Sequence, residues 1–356
     1  MAAEKKSGEA KVVRAAFGAV NRQRLIEAFF AGRGADKKGA DVAWRHVYEL
    51  LLWIDQTTGL AHCYESDKCQ PGKNWYARSL AFHSWLAEAF EVAPDKLSER
   101  LDWLFMRAAK DLAAEVLHKA ERVAAAAEKQ RRPYDDRGFP RPGEDPELVG
   151  IIREVLGGDL AAEPSDGQWR ELVQRIRQYL TLENKRKNLL GEGFEDVLAA
   201  VVIRSCEGAD LDVRTRGTLQ DLPGFSNTRK GEKVNKVDLA VIRPGRRILI
   251  TAKWSVRADR EKQFVVDFTD YLAAESLSKP FDYVFVTNEF DPARLKRACE
   301  RLASNSHMFR HVVHISTDAL RATYGEHPEA TMRQVLEYID SGRLISLQQW
   351  LDDLKS

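Results

Sequence analysis

The sequence predicts an α/β protein, with a sheet-containing core in its second half, a helical N-terminal domain before it and a helical C-terminal tail after it. Three observations carry this. Apolar residues recur at three-to-four spacing through most of the chain before residue 190, the period of an α-helix. Lys236-Val-Asp-Leu-Ala-Val-Ile and Arg247-Ile-Leu-Ile-Thr-Ala-Lys253 flank Arg243-Pro-Gly-Arg246, which reads as a β-hairpin turning at Pro-Gly. Both hairpin faces are apolar, with Val237, Leu239, Val241, Ile248 and Ile250 on one and Ala240, Ile242 and Leu249 on the other. A sheet covered by helices on both sides explains that pattern.

Taken in order, residues 1–12 are polar, and helical periodicity then runs through Phe17–Phe30, Val42–Ile54, Leu80–Phe90, Leu97–Ala108 and Leu112–Ala127. Between the second and third of these lies a long loop, Leu60–Ser79, rich in aromatic, basic and amide side chains. The stretch from Gln130 to Pro146 is charged, Pro/Gly-rich and without period, as a linker or long surface loop is. Helical segments follow at about 148–157 and 167–180, then an amphipathic helix at Phe194–Cys206 and a strand-like Leu211–Arg216. After the hairpin, Ser255 is placed to cap a helix carrying Arg257, Arg260 and Gln263 on one face. Tyr283–Val286 and Val312–Ile315 read as strands on either side of a helix near Ala293–Leu302, and Thr331–Tyr338 and Leu347–Leu354 read as terminal helices. The expected division is a helical domain at 1–128, a linker at 129–147, the core with its leading helices at 148–320 and a helical extension at 321–356.

Net charge is only +1, but residues 214–262 hold 13 Lys/Arg against five acids, a local +8. A basic focus on a nearly neutral chain fits a local polyanion better than a membrane surface. No apolar run approaches the length of a membrane span, and Met1-Ala-Ala-Glu-Lys-Lys lacks a secretory apolar region, so a cytoplasmic protein is expected. Four cysteines in 356 residues do not make a disulfide scaffold. His62, Cys63 and Cys69 lack a tight Cys-x-x-Cys pair and a fourth ligand. His307, His311 and His314 do not share a strand face.

The hairpin brings chemistry together. Pairing Arg243 with Arg246 puts Asp238 opposite Thr251, and Lys253 shares their face because side chains alternate with period two. An acid and a lysine therefore converge at the hairpin's open end. A carboxylate there can bind a divalent metal that polarises phosphoryl oxygens and generates hydroxide, while the lysine stabilises the added negative charge.

Asp238, a short connection and x-x-Lys253 resemble the PD-(D/E)xK nucleases, especially type II restriction endonucleases. The order of elements over about residues 190–320 is similar: the Phe194–Cys206 helix, the hairpin, a charged helix after Lys253, then two more strands. The resemblance implies a restriction-endonuclease-like core, a mixed sheet flanked by helices. It implies Mg2+-dependent, sequence-specific hydrolysis of double-stranded DNA, with Asp238 and Lys253 catalytic. The sequence departs from the family at Thr251, where an acid is usual, and no Pro precedes Asp238. Relatives that supply a glutamate from the first core helix make Glu195 the expected replacement, as a catalytic residue and with Asp238 a metal ligand; Asp212 is the second choice. Lys236, Ser255, Arg257, Arg260 and Gln263 around the site, with Lys73, Asn74 and Arg78 from the long loop, are the expected DNA contacts. A palindromic target has two symmetry-related scissile phosphates, which implies a homodimer. The alternatives are a repair, recombination or defence nuclease, and a DNA-binding module without catalysis.

Overall fold

The computed structural model describes residues 15–32, 42–53, 71–73, 75–112, 129–130, 132, 149–150, 165–226, 235–256 and 261–355. Its helices are α1 (Ala19–Gly32), α2 (Ala43–Leu51), α3 (Tyr76–Phe90), α4 (Asp166–Ser205), α5 (Glu261–Ala274), α6 (Pro292–Glu300), α7 (Thr317–Tyr324), α8 (Ala330–Asp340) and α9 (Leu347–Lys355). A further helical run covers 103–112. Six strands form one sheet: β1 (Asp212–Thr218), β2 (Lys236–Arg243), β3 (Arg246–Lys253), β4 (Asp282–Thr287), β5 (His311–His314) and β6 (Leu344–Ser346), in that spatial order.

The sheet is mixed. β1, β2 and β3 are an antiparallel meander, and β3 through β6 run parallel. Helices supply the crossovers that parallel neighbours require: α5 before β4, α6 before β5, and α7 with α8 before β6. The β2–β3 register is the expected one, from Arg243↔Arg246 to Leu239↔Ile250. Gly245 takes φ +77°, the positive value a Pro-Gly type II turn needs at its third position. Ile248, Leu249, Ile250, Val284, Phe285 and Val286 are all buried; as successive residues point to opposite faces, the sheet is covered on both sides.

One covering layer is aromatic. Phe264 of α5 sits 5.1 Å from Phe285 and 5.6 Å from Phe309, and Phe268 stacks on Tyr283 at 5.6 Å. Elsewhere in the core, Trp254 meets Tyr48 of α2 and Phe194 of α4, at 6.5 and 5.4 Å, while Phe82 of α3 meets Phe290 at 4.9 Å. Along α4, Phe194, Val197, Leu198, Val201 and Val202 are buried, the i, i+3, i+4, i+7, i+8 stripe of a helix facing a core.

The chain divides into two compact units, residues 1–21 with 107–189 and residues 22–106 with 190–356. This division crosses the expected boundaries, because α2 and α3 bury their aromatic residues against the residues that follow β3 and β4. In the first unit, Asn21 donates to Ala16 O and Asp111 Oδ2, at 2.8 and 2.9 Å.

Several expectations need correction. The segments at 167–180 and 194–206 are parts of one 40-residue helix, which runs through Gly191 and Gly193. The segment at 97–108 is a 3-10 turn, Pro94–Glu99, then a break at Asp102, whose φ is +62°, before helix resumes at 103. Ser255 lies in a bend with non-helical Val256 after it, and α5 is described from Glu261, so Ser255 does not cap it. The strand β6 has no counterpart in the sequence reading. Most of 112–127, the 129–147 linker and 148–157 lie outside the described residues, as do His62, Cys63 and Cys69. No described helix is long and apolar enough to cross a membrane.

Candidate active site

The open end of the β2–β3 hairpin holds Asp238 by three donors, all on Oδ2: Lys253 Nζ at 2.5 Å, the Ala252 amide at 3.0 Å and Thr251 Oγ1 at 3.2 Å. The register explains this convergence. Leu239 pairs with Ile250, so Asp238 is level with Thr251, and Lys253 reaches back from two residues further along. Thr251 is therefore more than a missing acid, because its hydroxyl helps fix the carboxylate beside it. It is buried, and a glutamate there would put a second charge against Asp238 in that space. This environment disfavours Thr251→Glu. Asp238 and Lys253 remain about a quarter exposed, at 23% and 24%, so a solvent-borne substrate has access to them.

Glu195, on α4, is buried, with Oε2 accepting from Arg216 Nη1 at 3.0 Å. Burial, and then the negative charge of Asp238, push its carboxyl up to about 7, against the opposing pull of the Arg216 hydrogen bond and the positive charges of Lys253 and Arg216. Asp238 and Lys253 both act on Glu195, so the three groups share one electrostatic neighbourhood. Asp238 Oδ1 and Glu195 Oε1 accept hydrogen bonds from none of the described residues. Two hard oxygen donors with unmet capacity, one on each carboxylate, suit Mg2+, which takes one or two protein carboxylates and fills its shell with water and phosphate oxygens. Among the described residues no cluster of three or more His, Cys, Asp or Glu side chains is arranged to hold a metal.

Arg216 is the site residue that the sequence reading missed. It lies in β1 between Thr215↔Leu239 and Gly217↔Val237, level with Asp238. Its φ is +52°, a left-handed value that costs a side-chain-bearing residue roughly 1–2 kcal/mol. Nη1 binds Glu195 and Nη2 binds Asp196 Oδ1 at 2.5 Å. Asp196 Oδ2 in turn accepts from Arg22 Nε of α1 at 2.7 Å, and that pair is buried. The one available signal was the alternation of Arg214 and Arg216 in the strand-like run. Asp212, the second-choice acid, is excluded by the register: it pairs with Ile242 beside the turn, at the far end of the hairpin, and holds Arg214 at 2.6 Å.

The face of α5 nearest the site is acidic. Burial raises the carboxyl of Asp267, Asp238 adds to the rise, and the hydrogen bond from Gln263 opposes it. Asn235 ties the start of β2 to Asp270 at 2.9 Å.

The expected DNA contacts are placed unevenly. Lys236 and Lys73 are exposed, and Ser255 is half-buried in its bend. Gln263 is exposed, but its amide binds Asp267 at 2.6 Å. Arg78 is engaged within the protein, with Glu329 at 2.8 Å and the Trp75 ring 5.0 Å beneath it. Asn74, Arg257 and Arg260 lie outside the described residues. Much of the local basic excess also has internal partners. Arg243 donates to Leu354 O, Arg246 pairs with Asp282, and Arg247 binds Glu275, Gly224 O and Lys279 O. Charge counting over 214–262 therefore overstated what is free to meet a polyanion. His314 is buried between the Ser316 and Glu289 carbonyls, and burial lowers it to about 4, so it serves packing.

No family model matches the sequence, and no curated protein matches it. Among solved structures the chain is similar to one described as a complex of the restriction endonuclease PspGI with substrate DNA, at 14% identity and a TM-score of 0.31, over 78% of this chain and 91% of that one. At that distance the likeness assigns neither a family nor an activity, and the site has to be argued from its own residues.

Proposed function

We propose that the protein is a Mg2+-dependent endodeoxyribonuclease with a PD-(D/E)xK-type site, acting as a type II restriction endonuclease on double-stranded DNA. The observation that supports this best is the convergence of Asp238, Lys253 and Glu195 at the partly exposed open end of the β2–β3 hairpin. Asp238 and Glu195 would hold the ion, which when bound supplies Lewis-acid polarisation of a phosphoryl oxygen and an acidified water. The protein's own groups do the rest. Thr251 and the Ala252 amide fix Asp238 whether or not Lys253 is engaged. Lys253 keeps a positive charge where the reacting phosphate gains negative charge, and one such donor contributes ~10²–10³ in rate. Lys236 and Lys73 are exposed and could meet phosphates, and Ser255 and Gln263, with Arg257 and Arg260 between them, follow Lys253 in sequence. A C2 dimer would give each strand of a palindromic target its own site.

Incubation of the full chain with supercoiled plasmid, in Mg2+ and in EDTA, tests the reading. Discrete fragments that need Mg2+ support a restriction enzyme. Smearing moves the assignment to a nonspecific nuclease of the same chemistry, and intact plasmid overturns the enzymatic reading in favour of a binding module. Light scattering with a cleaved duplex reports the oligomer.

A further inference from the structure

The residue that the site uses without needing it for chemistry is Arg216. Its guanidinium is divided between adjacent carboxylates of α4, Nη1 on Glu195 and Nη2 on Asp196. Asp196 is not free to follow it, because its other oxygen is held by Arg22, which also pairs with Glu192 at 2.8 Å. Arg216 additionally donates to Glu192 O at 3.2 Å. The guanidinium is thus fixed on one side by a buried acid and presents its remaining edge to Glu195. The backbone adopts a left-handed φ at this one position of β1, level with Asp238, and a side-chain-bearing residue holds that conformation only where surrounding interactions over-determine it.

We propose that Arg216 is the positioning residue for Glu195: anchored from behind by Asp196 and Arg22, it holds that carboxylate beside Asp238 and so sets how tightly the acidic pair takes a divalent cation. The inference rests on the reading of Asp238 and Glu195 as the ion's ligands. A competing role makes the opposite forecast. If Arg216 merely fills the place of the cation, removing it takes a positive charge away and tightens metal binding. The anchoring favours positioning, since a placeholder must leave and Arg216 cannot do so without stripping Asp196 of a partner.

The test is calorimetric titration of Mn2+ into the metal-free full chain, comparing wild type with Arg216→Gly, Arg216→Lys and Asp238→Ala. Glycine suits the left-handed φ, so Arg216→Gly removes the guanidinium without straining β1, and thermal melting in EDTA checks that it folds. Partners that orient ligands carry about 10–100-fold in affinity, so Arg216→Gly should weaken Mn2+ by at least about 10-fold. Arg216→Lys, which keeps the charge but lacks the rigid planar fork that spans Glu195 and Asp196, should recover only part of that loss. Unchanged or tighter binding by Arg216→Gly overturns the positioning role. If Arg216→Gly does not fold, Arg216→Lys decides alone, and wild-type affinity in it overturns the proposal. Failure of the underlying reading looks different: wild type and Asp238→Ala would then bind Mn2+ equally, or not at all, which overturns both.

Discussion

Replacing Lys253 with methionine keeps the aliphatic stem and removes the ammonium. In the free protein the change deletes one charge-assisted hydrogen bond, 2.5 Å long, between side chains 24% and 23% exposed. Such bonds contribute roughly 1.5–3 kcal/mol when sheltered, and partial exposure screens this pair towards about 1–2 kcal/mol. Asp238 keeps the Thr251 and Ala252 donors, so its position should survive. The cost to turnover is larger. A fixed positive charge that meets the transition state contributes at least ~10²-fold, or about 2.7 kcal/mol of barrier. Single-turnover cleavage of an end-labelled duplex in Mg2+ should therefore fall at least ~10²-fold. Urea denaturation should shift by no more than about 2 kcal/mol, and duplex binding in Ca2+ should persist. Cleavage within a few-fold of wild type would refute the role given to Lys253, and loss of folding comparable to the loss of activity would show that Lys253 acts on stability rather than on the reaction.

Other outcomes follow from the same contacts. Glu195 titrates near 7 in the folded, metal-free chain against 4.5 as its ordinary value. The folded state therefore binds more protons in that window, and stability falls as pH rises from 4.5 to 7, by at most about 3 kcal/mol; denaturation at several pH values should show that slope in wild type and lose it in Glu195→Gln. Gly224→Ala puts a Cβ at φ +79°, 2.4 Å from Arg247 Nη1 and 2.6 Å from Leu277 Cδ1. Arg247 is pinned by Glu275 and Lys279, so melting should show a loss of roughly 2–3 kcal/mol. Tyr48→Phe strips buried Asn288 Oδ1 of its 2.8 Å donor and should cost roughly 1–2 kcal/mol by denaturation, with no change in metal affinity.

The parts of this structure that were legible in the sequence are those whose causes are local. The hairpin is one: two apolar runs and a Pro-Gly turn fix the register by themselves, and the register brings Asp238, Thr251 and Lys253 together. The strands β4 and β5 were visible as short apolar runs, and the terminal helices α8 and α9 by their three-to-four apolar spacing. What escaped depends on distant partners. β6 has only three residues, Leu344–Ser346, and is a strand because β5 lies beside it. The role of Arg216 needs a left-handed residue in β1 and carboxylates on a helix some 20 positions earlier, and Asp196 is completed by Arg22, 174 residues away. The basic excess misled for the matching reason, since composition cannot tell that Arg243, Arg246 and Arg247 are bound within the fold.

Everything proposed for the reaction depends on Asp238 and Glu195 forming one divalent-cation site beside Lys253. Anomalous diffraction from crystals of the full chain grown with Mn2+ measures it directly. A peak bonded to oxygens of both Asp238 and Glu195 at about 2.0–2.3 Å, with Lys253 next to it, is expected. A peak elsewhere, or one held by Asp238 with Glu195 still turned wholly to Arg216, would contradict it.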